Sequence, residues 1–218
     1  MKKNSTELVF ILDKSGSMSG LEKDTIGGFN SMLQKQKDVE GECRITTVLF
    51  DNRYELLHDR LDIRAVSPMT EKEYQVGGST ALLDAIGRTV GKLASVQRST
   101  AEEYRAEKVM FVIITDGEEN SSREYSSDKI KTMIEHEKNQ YGWEFIFLGA
   151  NIDAVETAGR FGIGADRAVD YLADSEGTEL NFAAMSATVA CFRETGAIPD
   201  APMQAIREDV KKRGRKRK

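Results

Sequence analysis

The chain has 218 residues, of which 31% are charged and 39% are hydrophobic, with only 3 prolines and a formal net charge of −5. This composition is typical of a soluble globular protein and excludes a disordered or fibrous chain. The apolar runs are far shorter than the roughly 18 residues of a membrane-spanning helix, so the sequence predicts no transmembrane segment.

The first predicted strand covers residues 8–12, a continuous apolar run that is typical of a strand buried on both faces. It ends at the sequence D-K-S-G-S, which carries Asp13, Ser15 and Ser17. Apolar residues at spacings of three and four then predict an amphipathic helix over residues 21–37. The first strand therefore delivers an acid and two hydroxyls to its carboxyl end.

Residues 44–51 and 53–59 predict two strands joined by a tight turn, which makes the second strand antiparallel. Residues 60–79 predict a loop that contains a single helical turn. The paired glycines Gly77 and Gly78 permit a sharp bend, and Thr80 begins a helix that runs toward residue 97. A third hydroxyl is thus predicted at a loop beside the sheet.

The apolar run that continues to residue 114 predicts a strand over residues 108–116, which ends at T-D-G with Asp116. An acid- and serine-rich loop over residues 117–127 precedes a predicted helix at 128–140 and a strand at 143–148. Asp153 and Glu156 have the spacing of a capping box, and a short strand at 167–172 and a helix at 176–195 follow. Strands therefore alternate with helices through most of the chain.

This alternation predicts an α/β fold: a doubly wound, Rossmann-like open sheet, mostly parallel with one antiparallel edge strand, and helices on both faces. The doubly wound strand order 3-2-1-4-5-6 would place Asp13 and Asp116 on adjacent central strands. Ligands bind beyond the carboxyl ends of such strands, at the topological switch point. The order of the elements and the positions of the two acids therefore predict a binding site at the same edge of the sheet.

Five oxygen-bearing side chains would meet at this edge: Asp13, Ser15, Ser17, Thr80 and Asp116. Carboxylates and hydroxyls are ligands that a hard cation accepts, so the set favours Mg²⁺, with Mn²⁺ or Ca²⁺ as alternatives. A zinc site is disfavoured because Cys43 and Cys191 are far apart in sequence, and the two histidines have no spaced partner. The same separation of the cysteines predicts no disulfide framework; we expect both to be reduced and buried.

In the order D-x-S-x-S, a threonine after paired glycines, and T-D-G, these motifs resemble the von Willebrand factor A-type (vWA) domain. The resemblance implies a complete metal-ion-dependent adhesion site (MIDAS), with the first three residues in one loop, Thr80 in a second and Asp116 in a third. It covers roughly residues 5–195, and we predict a domain over residues 1–197 with residues 198–218 as a C-terminal extension. No secretion signal is evident, so the chain resembles the intracellular members, which predicts a cytoplasmic protein of bacterial or phage origin.

The resemblance implies a protein-interaction module rather than an enzyme. Hydroxyl ligands neutralise no charge, and five side chains leave a metal position for an Asp, a Glu or a terminal carboxylate of a partner. The surrounding loops would select that partner through a rim of six residues: Met18, Gly77, Gly78, Glu118, Glu119 and Asn120.

Two alternatives remain open at this stage. A strand-end aspartate with Mg²⁺ also resembles the haloacid dehalogenase-like phosphatases, but their second acid, two residues after the nucleophile, is replaced by Ser15. The C-terminal residues 211–218 carry seven positive charges and predict an unpacked arm that binds nucleic acid or an acidic surface. Those charges belong to Lys211, Lys212, Arg213, Arg215, Lys216, Arg217 and Lys218.

Overall fold

A six-stranded sheet forms the centre of the protein in the computed structural model, which describes residues 1–214. Its strands are β1 (Lys2–Asp13), β2 (Glu42–Phe50), β3 (Tyr54–Asp62), β4 (Ala106–Asp116), β5 (Glu144–Ala150) and β6 (Ala168–Asp170). They lie in the order β3-β2-β1-β4-β5-β6, and the edge strand β3 pairs antiparallel with β2 while every other pairing is parallel. The predicted strand order and mixed sheet are confirmed.

Six α-helices cover the two faces of this sheet: α1 (Glu22–Lys37), α2 (Leu82–Ser99), α3 (Ser127–Tyr141), α4 (Ala154–Arg160), α5 (Ser175–Thr195) and α6 (Asp200–Arg213). The core on one face contains side chains of α1, α5 and α6, and the core on the other contains side chains of α2, α3 and α4. Among residues 1–214, no helix combines the length and hydrophobicity needed to cross a membrane.

Strand β1 explains why an uninterrupted apolar run suits the middle of this sheet. Leu8, Phe10 and Leu12 belong to the core beneath α1 and α5, whereas Val9 and Ile11 belong to the core beneath α2. Successive side chains of a strand point to opposite faces, so a strand covered on both sides needs apolar residues at every position. All five residues are buried, and the first acid after this run, Asp13, lies where the strand ends.

The C-terminal extension is the main departure from the predicted elements. Residues Asp200–Arg213 form α6, in which Met203 and Ile206, one helical turn apart, are buried in the core. Arg213 pairs with Asp174 at 2.8 Å and with Asp209 at 2.5 Å. The predicted unpacked arm is therefore wrong for positions 211–213, because an apolar stripe precedes the charged run. Residues 215–218 lie outside the described part of the chain, and the domain division at residue 197 stays a prediction.

Smaller differences concern the ends of elements and one cysteine. Strand β1 begins at Lys2, six residues before the predicted apolar run, and β6 has only three residues. Cys43 and Cys191 are both free; Cys43 is buried as predicted, but Cys191 is only partly buried. These differences leave the edge that carries Asp13 and Asp116 unchanged.

Candidate metal centre

Asp13 and Asp116 are the last residues of the adjacent parallel strands β1 and β4. The two strands pair in register up to Leu12 and Ile114, so their carboxyl ends reach the same edge of the sheet. Both acids are only 1% exposed. We call the surface formed at this edge by the loops of Asp13, Thr80 and Asp116 the metal-loop edge.

Neutral donors hold both oxygens of the Asp13 carboxylate. Oδ1 accepts a hydrogen bond of 2.7 Å from the backbone N–H of Ser15. Oδ2 accepts one of 2.7 Å from the Thr115 hydroxyl and one of 3.2 Å from the backbone N–H of Asp116. These bonds fix the direction of the carboxylate without neutralising its charge.

Asp116 is held in a similar way from the other side. Its Oδ1 accepts a hydrogen bond from Nδ2 of Asn151, and its backbone carbonyl accepts one from the Ser17 hydroxyl. The hydroxyls of Ser15 and Ser17 are 3.0 Å apart. The structure thus brings two acids and two serines of the predicted set into one connected cluster.

Sequence reasoning missed Asn151 and Thr115. Thr115 directly precedes Asp116, and Asn151 directly follows β5, the strand beside β4. Both residues lie where a buried strand meets a loop, which is the signal that identified the two acids. Extending that criterion to amide and hydroxyl side chains would have selected both residues.

The Thr80 loop is fastened to the first loop through its backbone. Gly16 donates a hydrogen bond of 3.1 Å to the carbonyl of Gly78, and Gly77 donates one of 2.9 Å to the carbonyl of Lys14. Gly78 has a φ of 75°, in the left-handed region where glycine is favoured over residues that carry a Cβ. The backbone N–H of Thr80 donates to Oδ1 of Asn120 at 2.9 Å. Thr80 is therefore positioned between the loops that carry the two acids.

The electrostatics of this edge favour an added cation. Burial raises the pKa of Asp13, and burial together with the nearby Asp13 charge raises the pKa of Asp116. Within residues 1–214 neither acid forms an ion pair, and the neighbouring Lys14 pairs with Glu55 at 2.6 Å instead. Two buried carboxylates without a counter-charge are unfavourable, and a divalent ion would compensate both.

The donors present fit a hard divalent ion. No group of three or more His, Cys, Asp and Glu side chains in the described chain is arranged to hold a metal, so the candidate ligands are two carboxylates and hydroxyls. The Thr80 hydroxyl makes no hydrogen bond with another described residue, which leaves its oxygen available. An oxygen-only donor set of this kind suits Mg²⁺ or Mn²⁺ better than zinc.

The predicted partner-binding rim needs correction at one position. Met18, in the first loop, is only 2% exposed, so it offers almost no surface to a partner. Glu119 accepts hydrogen bonds from the backbone N–H groups of Leu83 and Ser122, and Asn120 accepts one from Thr80. Both side chains therefore stabilise the loop; Asn120 is also exposed and Glu119 partly exposed, and their contact with a partner stays a prediction. Gly78 and Glu118 are exposed, and Gly77 is partly exposed.

No protein-family model matches the chain, and no curated protein matches it. Solved structures do match, and several of them are named as von Willebrand factor type A proteins or domains. The vWF domain of the type V pili tip protein Mfa5 from Porphyromonas gingivalis has a TM-score of 0.60 at 12% identity over 89% of this chain and 98% of that chain. A von Willebrand factor type A protein from Catenulispora acidiphila has a TM-score of 0.57 at 16% identity over 85% of this chain and 42% of that chain.

Another similar structure is proximal thread matrix protein 1 from the mussel byssus with a zinc-occupied MIDAS motif. Its TM-score is 0.57 at 12% identity, over 85% of this chain and 46% of that chain. This chain therefore spans less than half of the mussel and Catenulispora chains. At these identities the similarity shows the fold, which is the Rossmann-like α/β fold of vWA domains.

Proposed function

We propose that this chain is a metal-dependent protein-interaction module whose metal-loop edge holds Mg²⁺ and captures an acidic group of a partner protein. The proposed ligands are Asp13, Ser15, Ser17, Thr80 and Asp116. The observation that carries the proposal is the pair of buried carboxylates, Asp13 and Asp116, which lie at adjacent strand ends without an ion pair in the described chain. The zinc-occupied MIDAS of the mussel protein supports a divalent ion in this fold.

The hydrogen bonds suggest how the chain would use such an ion. Asn151 holds Oδ1 of Asp116, which leaves Oδ2 free of described partners, and three neutral donors hold Asp13. Because these donors come from fixed strand ends and loop backbone, the carboxylates need little rearrangement to bind. Serine and threonine ligands add no charge, so the ion keeps affinity for an external carboxylate. That carboxylate is an Asp, a Glu or a chain terminus of the partner.

A binding role is better supported than a hydrolytic one. The alternative phosphatase mechanism needs an acid two residues after Asp13 that donates and accepts a proton, and that position is Ser15. A serine hydroxyl does not titrate near neutral pH, so it does not replace a carboxyl as general acid and base. We therefore propose a module without catalytic activity. A cytoplasmic location and a bacterial or phage source stay predictions.

The basic end of α6 is a candidate for a second contact with the same partner. Asp174 follows β6 and caps the first turn of α5, and Arg213 at the end of α6 pairs with it. Helix α6 thus runs back toward the end of the sheet from which α5 starts. Lys211 and Lys212 are exposed there, where an acidic partner surface would be attracted. Nucleic acid is the competing ligand for these charges.

The test is a pull-down from a lysate of the source cells with four baits: wild type, Asp13→Ala, Asp166→Ala and a chain that ends at residue 210. Each bait is used with Mg²⁺ and with a chelator. Asp166 is a matched acid whose side chain is 66% exposed and lies in the turn before β6. We expect a protein partner that is retained by wild type and Asp166→Ala with Mg²⁺, and lost with Asp13→Ala or chelator.

Truncation separates the two contacts. A partner that binds the shortened chain more weakly, and with less dependence on salt, supports the second contact. Nucleic acid recovered by wild type but not by the shortened chain supports the alternative role of the tail. A partner list that neither Asp13→Ala nor the chelator changes would contradict the metal-dependent module.

A further inference from the structure

A second candidate binding site lies at the edge of the sheet opposite the metal-loop edge. A cleft of about 470 Å³ opens between the amino ends of β4 and β5 and the C-terminal ends of α2 and α3. This volume falls within the range of about 300–1,000 Å³ that is typical of small-ligand sites. We call it the Trp143 cleft, and it is lined by Ala94, Arg98, Val109, Glu137, Tyr141 and Trp143 among others.

Glu137 is the buried acid of this cleft. Its side chain is only 5% exposed, and its carboxylate makes no hydrogen bond with a described residue. The nearest positive group, the guanidinium of Arg98, is 3.8 Å away, beyond hydrogen-bond distance, and its side chain is 56% exposed. A buried carboxylate in this state has unused capacity to accept hydrogen bonds from a better-placed cation.

The walls of the cleft are suited to an apolar group next to that cation. Trp143 is 4% exposed, and its ring stacks on Phe111 with 5.6 Å between the ring centres. Tyr141, which is 49% exposed, also lines the cleft. Aromatic rings provide apolar contact area and also attract cations to their faces. The cleft thus combines a buried negative charge with aromatic surface.

The other charges around the cleft do not supply a cation to Glu137. Arg105 donates from Nε to the carbonyl of Thr100 and from a terminal nitrogen to the carbonyl of Arg98, so it caps the C-terminal end of α2. Glu102 and Glu107 add two further acids to the lining, and Met1 adds the positive charge of the chain's amino terminus, which forms no ion pair with Glu137 within the described residues. The other charges of the lining largely offset one another, so the preference for a positive ligand rests on Glu137, whose carboxylate has no hydrogen-bonded partner among the described residues.

We propose that the Trp143 cleft binds an organic cation, a primary amine or guanidinium carried on an apolar body, with Glu137 as its counter-ion and Trp143 as its apolar contact. Such a group belongs either to a free small molecule or to a lysine or arginine side chain. The site shares no residue with the metal-loop edge, so this proposal does not depend on the proposed metal-dependent function.

Trp143 is the only tryptophan of the chain, so its fluorescence reports on this cleft directly. The full-length protein is titrated with benzylamine, with the neutral analogue benzyl alcohol, and with N-acetyl-lysine amide as a model of a protein side chain. Three variants accompany wild type: Glu137→Gln, Glu103→Gln and Asp13→Ala. Glu103 is an exposed acid of the same turn as Glu102 but does not line the cleft.

We expect a saturable fluorescence change with at least one of the two amines and none with benzyl alcohol. Glu137→Gln should weaken amine binding about tenfold or more, the effect of losing a charged hydrogen-bond partner, while Glu103→Gln and Asp13→Ala should bind as wild type does. A response to benzylamine alone indicates a free amine, and a response to the lysine analogue alone indicates a protein side chain. Absence of binding by both amines, equal binding of benzyl alcohol, or unchanged binding by Glu137→Gln would overturn the proposal.

Discussion

The two edges of the sheet hold buried carboxylates in opposite ways. At the metal-loop edge, backbone N–H groups and the hydroxyl and amide of Thr115 and Asn151 fix the directions of Asp13 and Asp116. At the opposite edge, Glu137 has no hydrogen-bond donor among the described residues and lies 3.8 Å from Arg98. An acid with a fixed direction suits a small ion with strict geometry, whereas an acid without one suits a ligand that brings its own donors.

The largest predicted effect is the loss of metal binding in Asp13→Ala. Removing this proposed ligand, whose Oδ2 links the end of β1 to the end of β4, should weaken Mg²⁺ or Mn²⁺ binding by about a hundredfold or more, beyond detection by isothermal titration calorimetry. The variant should remain folded, because removing a buried carboxylate that has no ion pair among the described residues partly offsets the loss of an acceptor for Ser15, Thr115 and Asp116.

Asp166→Ala is the matched control for that titration and should bind the metal as wild type does. If Asp13→Ala retained wild-type affinity while remaining folded by circular dichroism, the fixed carboxylates would not be the metal ligands. The difference in hydrogen bonding between the two edges would then not reflect a difference in the ligands that they bind.

A smaller loss is predicted for Asn151→Gly. Asn151 acts through Asp116, whose Oδ1 it holds, and its φ of 56° suits glycine, so the substitution removes the amide without straining the backbone. Metal affinity measured by calorimetry should fall about tenfold. Asn139→Gly, at a solvent-accessible position of α3, controls for the change of residue type. Equal metal affinity in Asn151→Gly and wild type would show that Asp116 does not need this support.

Glu137→Gln tests, through the pH dependence of folding stability, whether the carboxylate at the opposite edge lacks a stabilising partner. Burial raises the pKa of Glu137 in the folded state, so the folded chain holds this proton more tightly than the unfolded chain. The contribution of Glu137 to the free energy of unfolding therefore falls as pH rises from about 4.3 through the raised pKa, and glutamine lacks that fall. In denaturant titrations, Glu137→Gln should be more stable than wild type at pH 7.5, and this difference should shrink as the pH falls toward about 4.

A bound amine should reduce this difference in stability between Glu137→Gln and wild type at pH 7.5, because it binds wild type more tightly and so stabilises it more. A gap that is constant across pH would indicate a packing effect rather than the charge of Glu137.

The smallest predicted effect concerns the end of α6 near the metal-loop edge. Arg213→Ala removes ion pairs with Asp174 and Asp209 that are partly exposed, so the free energy of unfolding should fall by only about 0.5–1 kcal/mol. The loss should shrink at high salt in thermal denaturation. A loss of several kcal/mol would mean that the end of α6 supports the fold more than its exposed ion pairs imply.

The sequence was sufficient for the sheet because β1 and β4 contain long apolar runs and end in acids. It was not sufficient for α6. The basic run at the end of this helix drew attention away from the spacing of Met203 and Ile206, and the core residues that these two side chains contact are distant in sequence. Asn151 was missed for a related reason: its role depends on β5 lying beside β4. Met18 was misplaced because burial of a loop side chain depends on tertiary packing that a local motif does not encode.

Electron paramagnetic resonance with Mn²⁺ tests the central claim most directly, because protein-bound and free Mn²⁺ give distinct signals. We predict that full-length wild type binds a single Mn²⁺ ion per chain, that excess Mg²⁺ displaces it, and that Asp13→Ala shows only free Mn²⁺. Wild type that leaves all Mn²⁺ free, or an Asp13→Ala variant that binds it as tightly as wild type, would contradict a metal centre at the ends of β1 and β4.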